Sequence, residues 1–138
     1  MNIAVYGAGG VGGYFGARLA QVGNNVTFIA RGKHLEAIQK NGLQLKSIKG
    51  DFLVQPAKAV AEISEVKNID LILICVKTWQ LVEVAEKIKP ILNSNTLIIS
   101  LLNGAENASI LCNIIDKKHV LGGLCKIISK IEDNGIIN

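Results

Sequence analysis

Three glycines, Gly7, Gly9 and Gly12, form a G-x-G-x-x-G close to the amino terminus. Ahead of them residues 2–6 read as a buried strand. Behind them Val11, Phe15, Leu19 and Val22 recur at helical spacing. Strand, glycine turn and helix in that order make the spacing a candidate dinucleotide cradle; glycines alone would describe any tight β–α turn. In such a cradle Gly7 permits the turn, Gly9 offers bare backbone to a pyrophosphate, and Gly12 lets helix and strand approach. The backbone of Gly7, Ala8, Gly9, Gly10, Val11 and Gly12 is the expected phosphate-binding surface. The helix dipole adds roughly half a positive charge there. Gly16 is a further close-packing position one turn on.

The second expected strand, residues 26–30, bears on which dinucleotide is bound. An NAD site usually carries Asp or Glu at the end of this strand, about 20 residues past the glycines, for the ribose 2′-hydroxyl. Here the chain runs Phe28-Ile29-Ala30-Arg31-Gly32-Lys33, without an acid. A 2′-phosphate carries about −1.5 to −2 charges at neutral pH. Arg31 can hold it through paired N–H bonds, with Lys33 as a second positive charge. This favours NADP over NAD, set against the plainer reading of Arg31 as an exposed loop residue. Lys77 and Asn103 also fall at carboxyl ends of expected strands, where ligands bind in open α/β sheets. Lys77 suits a phosphate or a substrate carboxylate, and Asn103 a ribose or substrate hydrogen bond. A solvated loop residue is the bland reading of each.

The elements that must position these residues alternate. Strands are expected at 2–6, 26–30, 70–76, 96–101 and 120–128, and helices at 10–22, 33–40, 79–88 and 107–115. Residues 43–48 and 52–54 alternate around Gly50-Asp51 as a hairpin, and 131–137 begins another. The pattern predicts an α/β, Rossmann-like, doubly wound and mostly parallel sheet. Residues 1–138 form one dinucleotide-binding domain. The chain stops at Gly135-Ile136-Ile137-Asn138 without a polar tail, so it reads as a fragment of a longer, two-domain enzyme, cut inside a strand.

Composition narrows the function classes. Hydrophobic residues are 49% and charged residues 19%, which fits a well-buried domain rather than a disordered one. Aromatic residues are 4%, so the core must be aliphatic. The net charge of +4 is spread over scattered lysines, with no basic patch interleaved with aromatics to suggest nucleic acid. The longest apolar run, 71–76, is far short of the ~20 residues that span a bilayer. Cys75, Cys112 and Cys125 have no metal-ligand spacing. Cys75 and Cys125 read as small core residues, and the odd total of three cysteines favours a reducing cytoplasm. No metal is expected. His34 and His119 read as loop or helix-end residues, and Trp79 as a packing residue near a helix start.

Several runs together carry a resemblance. They are Ile3-Ala-Val-Tyr-Gly-Ala-Gly-Gly-Val-Gly-Gly-Tyr-Phe-Gly-Ala-Arg-Leu19, Val26-Thr-Phe-Ile-Ala-Arg-Gly32, Val76-Lys-Thr-Trp-Gln80, Leu102-Asn-Gly104 and Val120-Leu-Gly-Gly123. The chain resembles, over essentially its whole length, the amino-terminal NADP-binding domain of the ketopantoate reductase (2-dehydropantoate 2-reductase) family. The resemblance implies NADPH-dependent reduction of the 2-dehydropantoate ketone to (R)-pantoate, on the route to pantothenate and coenzyme A. It assigns Arg31 and Gln80 to the adenosine phosphate end of the cofactor. It places Lys77 and Asn103 at the border of cofactor and substrate, in supporting catalytic roles, with Asn103 nearest the transferred hydride. The family's general-acid lysine and its partner glutamate come from a second, helical domain, so this chain alone is expected to be inactive or nearly so. Leu102 stands where many relatives carry glutamine, and Asn138 where a histidine is often seen; both bear on the substrate rather than the cofactor. Two alternatives remain: a related reductase of another small 2-oxo acid, and an NADP-binding sensor or scaffold without catalysis. The expected partners are a small 2-oxo acid and a second copy of the chain, through an apolar surface.

Overall fold

The computed structural model describes residues 1–138. In chain order its elements are β1 (Asn2–Tyr6), α1 (Gly10–Gln21), β2 (Asn25–Ile29), α2 (Gly32–Asn41), β3 (Leu43–Leu45), β4 (Phe52–Val54) and β5 (Lys58–Val60). They continue with β6 (Leu71–Ile74), α3 (Leu81–Ile88), β7 (Leu97–Ser100), α4 (Asn107–Cys112), β8 (Val120–Leu121), β9 (Ile131–Asp133) and β10 (Ile136–Ile137).

Six strands, ordered β5-β2-β1-β6-β7-β8, make a sheet in which every neighbouring pair is parallel. A parallel sheet is covered on both faces, so its strands are apolar throughout. Alternate residues of β1 show this. Ala4 and Tyr6 join a core with Leu81, Val84 and Ile88 of α3 and Leu111 of α4. Ile3 and Val5 join one with Ala17 of α1, Phe28 and Leu45. From β1 the chain builds outward through β2 to β5, then crosses back to β6 on the other side of β1. The strand order therefore reverses between β1 and β6, the place where a doubly wound sheet opens a crevice. This is the expected Rossmann-like α/β fold.

A second, four-stranded sheet, ordered β4-β3-β10-β9, was not anticipated as a unit. Both of its hairpins were expected, but their union, through the parallel pairing of β10 with β3, was not. Strand β5 also escaped the sequence reading, being three residues long with one buried side chain. The expected strand over 120–128 is corrected to Val120–Leu121. Gly123 presses against the Ser100 carbonyl, where a β-carbon would lie 2.6 Å away. Beyond it Leu124 and Ile128 are 91% and 103% exposed, so no apolar burial holds an extended strand there. Trp79 is likewise corrected: it is 81% exposed, on a 3₁₀ turn (Thr78–Gln80) that leads away from the sheet.

Candidate functional site

A cleft of about 310 Å³ opens over the carboxyl ends of β1, β2 and β6. Its walls come from three crossings of the sheet edge: Tyr6 to Gly9 after β1, Ile29 to Arg31 after β2, and Cys75 to Lys77 after β6. His34, Gln80, Glu83, Val84 and Ile131 complete it. Of the residues singled out in the sequence, Gly7, Ala8, Gly9, Arg31, Lys77 and Gln80 are brought together here. Gly10, Val11 and Gly12 form the first turn of α1, just behind the lining.

The glycines divide the work. Gly7 has φ +98°, and a β-carbon on it would lie 2.9 Å from the Cys75 carbonyl oxygen, so the turn requires glycine on both counts. The amides of Gly7 and Ala8 both donate to the Ile29 carbonyl, each at 3.2 Å, and are committed within the fold. The first helical bond of α1 runs from the Gly13 amide to the Gly9 carbonyl at 2.7 Å. The amides of Gly10, Val11 and Gly12 therefore have no acceptor within the helix, as at any helix start. A β-carbon on Gly9 would meet no atom within 4 Å, so the space in front of its backbone is open. A β-carbon on Gly12 would overlap the Gly7 carbonyl and come within 3.0 Å of Cys75 and Val5. This set fits a pyrophosphate held by bare amides.

Arg31 is the residue before α2, extended at φ −137° and ψ 157°, exposed at the cleft rim. Neither it nor Lys77 joins any of the chain's ion pairs, so two uncommitted cations border the cleft. Lys33 is exposed and lies outside the lining. The acid in the lining, Glu83, sits 3.4 Å from Lys87, which offsets its charge. Gln80 is held by its side-chain oxygen, which accepts the Lys77 amide at 3.0 Å. Its NH₂ group is left without a protein partner.

Asn103 stands apart. It is exposed on the loop after β7 and does not line the cleft. Its carbonyl accepts from the Thr78 hydroxyl at 3.4 Å, one residue from Lys77. The loop is shaped by Asn107, which sequence reasoning passed over. That side chain is 5% exposed, and its NH₂ group donates to the carbonyls of Leu102, Asn103 and Gly104 at 3.2, 3.3 and 2.8 Å. The spacing Asn103-Gly104…Asn107 is the signal that could have revealed it, as a side chain poised to close a loop.

Cys75 lies beneath the glycine turn. Burial, with a smaller contribution from Cys125, pushes its thiol up to about 12, which makes it a packing group rather than a nucleophile. His119 ends a 3₁₀ turn, as expected of a helix-end residue, and is buried, with Nδ1 donating to the Thr96 carbonyl at 2.8 Å. His34 also sits at a helix start, in the first turn of α2, yet it forms part of the cleft wall.

Comparison with known proteins gives a consistent picture. Residues 3–138 match the family model described as ketopantoate reductase PanE/ApbA. An uncharacterized oxidoreductase of Bacillus subtilis, YkpB, is 41% identical over 138 residues, covering 100% of this chain and 45% of that protein. The crystal structure of a PanE/ApbA family ketopantoate reductase from Ralstonia eutropha superposes with a TM-score of 0.92 at 35% identity. It covers 99% of this chain, which covers 45% of that one. A D-mandelate dehydrogenase, in a ternary structure with NADH and anilino(oxo)acetate, superposes with a TM-score of 0.88 at 27% identity, with coverages of 99% and 45%. The chain thus spans a little under half the length of these relatives. No helix of the chain is long and apolar enough to cross a membrane.

Proposed function

Because the chain belongs to the ketopantoate reductase PanE/ApbA family, we propose that it supplies the NADPH-binding half of an enzyme that reduces 2-dehydropantoate to (R)-pantoate, toward pantothenate and coenzyme A. The observation that carries the cofactor reading is the uncommitted Arg31 at the end of β2, where no carboxylate stands, above the open backbone of Gly9. When bound, NADPH supplies the hydride for the ketone carbon. The amides from Gly9 to Gly12 hold the pyrophosphate, Arg31 pairs with the 2′-phosphate, and the Gln80 NH₂ group reaches the same adenosine end. Lys77 and Asn103 border the nicotinamide and the 2-oxo acid. There the Lys77 charge favours the negative charge that develops on the ketone oxygen. We assign the proton for that oxygen to the general-acid lysine that the family resemblance places in a second, helical domain, with Lys77 in an electrostatic role. The three free cysteines suit a reducing cytoplasm. The homodimer we propose would cover exposed apolar side chains such as Leu121, Leu124 and Ile128, and a strictly monomeric chain in sedimentation would remove that part of the reading.

The mandelate dehydrogenase neighbour, bound to NADH, favours a second reading: the same fold serving NADH and another 2-oxo acid. Calorimetry with NADPH and NADH separates the two. The chain should bind NADPH at least about tenfold tighter, since hydrogen bonds to charged groups contribute about 1.5–3 kcal/mol. Arg31→Ala should bring the two affinities within about threefold by removing those bonds. Equal affinities in the unsubstituted chain, or a preference that survives the substitution, would overturn the NADP assignment. The isolated chain should turn over little or no ketopantoate, and rapid turnover would refute its role as half of a site.

A further inference from the structure

The histidine in the cleft wall uses both ring nitrogens. Nε2 of His34 lies 2.7 Å from the Ala8 carbonyl oxygen, and Nδ1 lies 3.0 Å from the Gly135 amide. A carbonyl only accepts and an amide N–H only donates. The ring is therefore neutral, with its proton on Nε2 and its lone pair on Nδ1. One side chain thus ties together the glycine turn after β1, the first turn of α2, and the turn of the β9–β10 hairpin.

Two other contacts hold that hairpin and the chain leading to it against the glycine loop. The Ser129 hydroxyl donates to the Gly10 carbonyl at 2.9 Å. A β-carbon on Gly10 would overlap the Ser129 carbonyl, and one on Gly13 would come 2.6 Å from the Ile137 side chain. Gly10 and Gly13 lie outside the three-glycine fingerprint. Their lack of side chains makes room for the carboxyl-terminal segment, which also lends Ile131 to the cleft wall. Ala8 has its amide on Ile29 and its carbonyl on His34, so the peptide planes on either side of it are fixed. The following residue is Gly9, whose orientation decides where a phosphate meets the backbone.

We propose that His34 is a positioning residue of the dinucleotide site, its neutral ring locking the Ala8 carbonyl and the β9–β10 hairpin so that the amides from Gly9 onward are aimed before the cofactor arrives. The role rests on the NADPH reading above. It acts on the pyrophosphate, through the backbone, and leaves the adenosine phosphate to Arg31. Loss of the ring's hydrogen bonds strands the Ala8 carbonyl, a cost that falls on whatever the loop must hold.

The test uses two probes and two variants. NADPH spans the loop, whereas 2′-AMP carries the adenosine phosphate without a pyrophosphate. His34→Phe keeps a flat ring and removes both hydrogen bonds. It should raise the Kd for NADPH by about tenfold, the effect of one stranded acceptor, with 2′-AMP unchanged within about twofold. His34→Gln places an N–H near the former Nε2 and should recover most of the NADPH affinity. Thermal unfolding of each variant separates binding from folding. If His34→Phe does not fold, the Gln variant carries the test: NADPH affinity near that of the unsubstituted chain supports the role. An unchanged Kd for NADPH in folded His34→Phe overturns the proposal. So does equal weakening of both probes, or a Gln variant that binds NADPH about tenfold more weakly than the unsubstituted chain. If the unsubstituted chain binds 2′-AMP but not NADPH, the His34 role falls and the Arg31 assignment stands. If it binds neither, the cofactor reading itself fails.

Discussion

In the large sheet β1, β2, β6 and β7 each bring a largely buried run, and every strand pairs in parallel with its neighbours. The small sheet is joined from two hairpins far apart in the chain, whose closest charged link, Lys46 to Glu132, spans 86 residues. The Lys46 ammonium holds the Glu132 carboxyl below the usual carboxylate range, with Asn138 assisting. Yet both sheets close on the same helix. Leu43 and Leu45 of β3 and Ile137 of β10 share one core with Val5, Phe28 and Leu73 of the large sheet and Ala17 of α1. The difference teaches that one glycine loop can be supported from two sides by elements of unlike origin. One side is dictated by local pattern and the other by a long-range closure.

That shared core can be broken directly. Ile98 of β7 belongs to the opposite core, against α3 and α4, and Leu45 belongs to the one both sheets share. Both are fully buried. Truncation to alanine should cost about 2–5 kcal/mol at either position, the range for buried Leu and Ile. Urea unfolding followed by circular dichroism should show one transition for each variant, shifted by similar amounts. A loss below about 1 kcal/mol for Leu45→Ala, well under that range, would make the small sheet an appendage. So would a separate early transition.

The contrast between the sheets also explains what could be read from the chain. Leu71-Ile-Leu-Ile74 and Leu97-Ile98-Ile99 announce buried parallel strands because both faces are covered. The glycine turn was legible because its neighbours fix its setting, and the position of Arg31 at the cleft rim because it follows the second apolar run. The union of the two hairpins was not legible, since pairing across so long a loop leaves no local periodicity. The same limit hid His34. Its role depends on Ala8 and Gly135, 26 and 101 residues away, and nothing in Gly32-Lys33-His34-Leu35 points to either. Asn103 was found by position, while the side chain that shapes its loop, Asn107, looked like an ordinary helix-start residue.

Adjacent glycines sharpen the comparison at the point where the two supports meet. Gly10 faces the Ser129–Lys130 backbone and Gly9 faces open space. Gly10→Ala must displace main chain rather than a flexible side chain, and should destabilise by about 1–3 kcal/mol, as overpacking does. Gly9→Ala should leave stability within about 0.5 kcal/mol, the range of a surface change. It should nonetheless weaken NADPH about tenfold or more by placing a methyl where the phosphate must approach. Paired calorimetry and thermal melts would check both. If Gly9→Ala lost stability and kept affinity, the division of labour among the glycines would be wrong.

The smallest effect concerns thiols, and it probes the floor of the glycine turn. Cys75 is half-buried in the cleft lining, with its thiol pushed up to about 12 by burial, whereas Cys112 is exposed on α4. With that value only about one part in ten thousand of Cys75 is thiolate near pH 8, against roughly a quarter for an ordinary cysteine. An aromatic disulfide reagent should therefore modify Cys112 first and leave Cys75 untouched until the chain unfolds. Cys125 is half-buried, its thiol 3.6 Å from the Leu101 carbonyl, and should react at an intermediate rate. Raising the pH toward the Cys75 value generates its thiolate, so reaction there should rise with pH. Mass spectrometry of timed samples resolves the order. Early labelling of Cys75 near pH 8 would mean that the glycine turn opens readily, and a turn that opens cannot hold its amides in place for a phosphate.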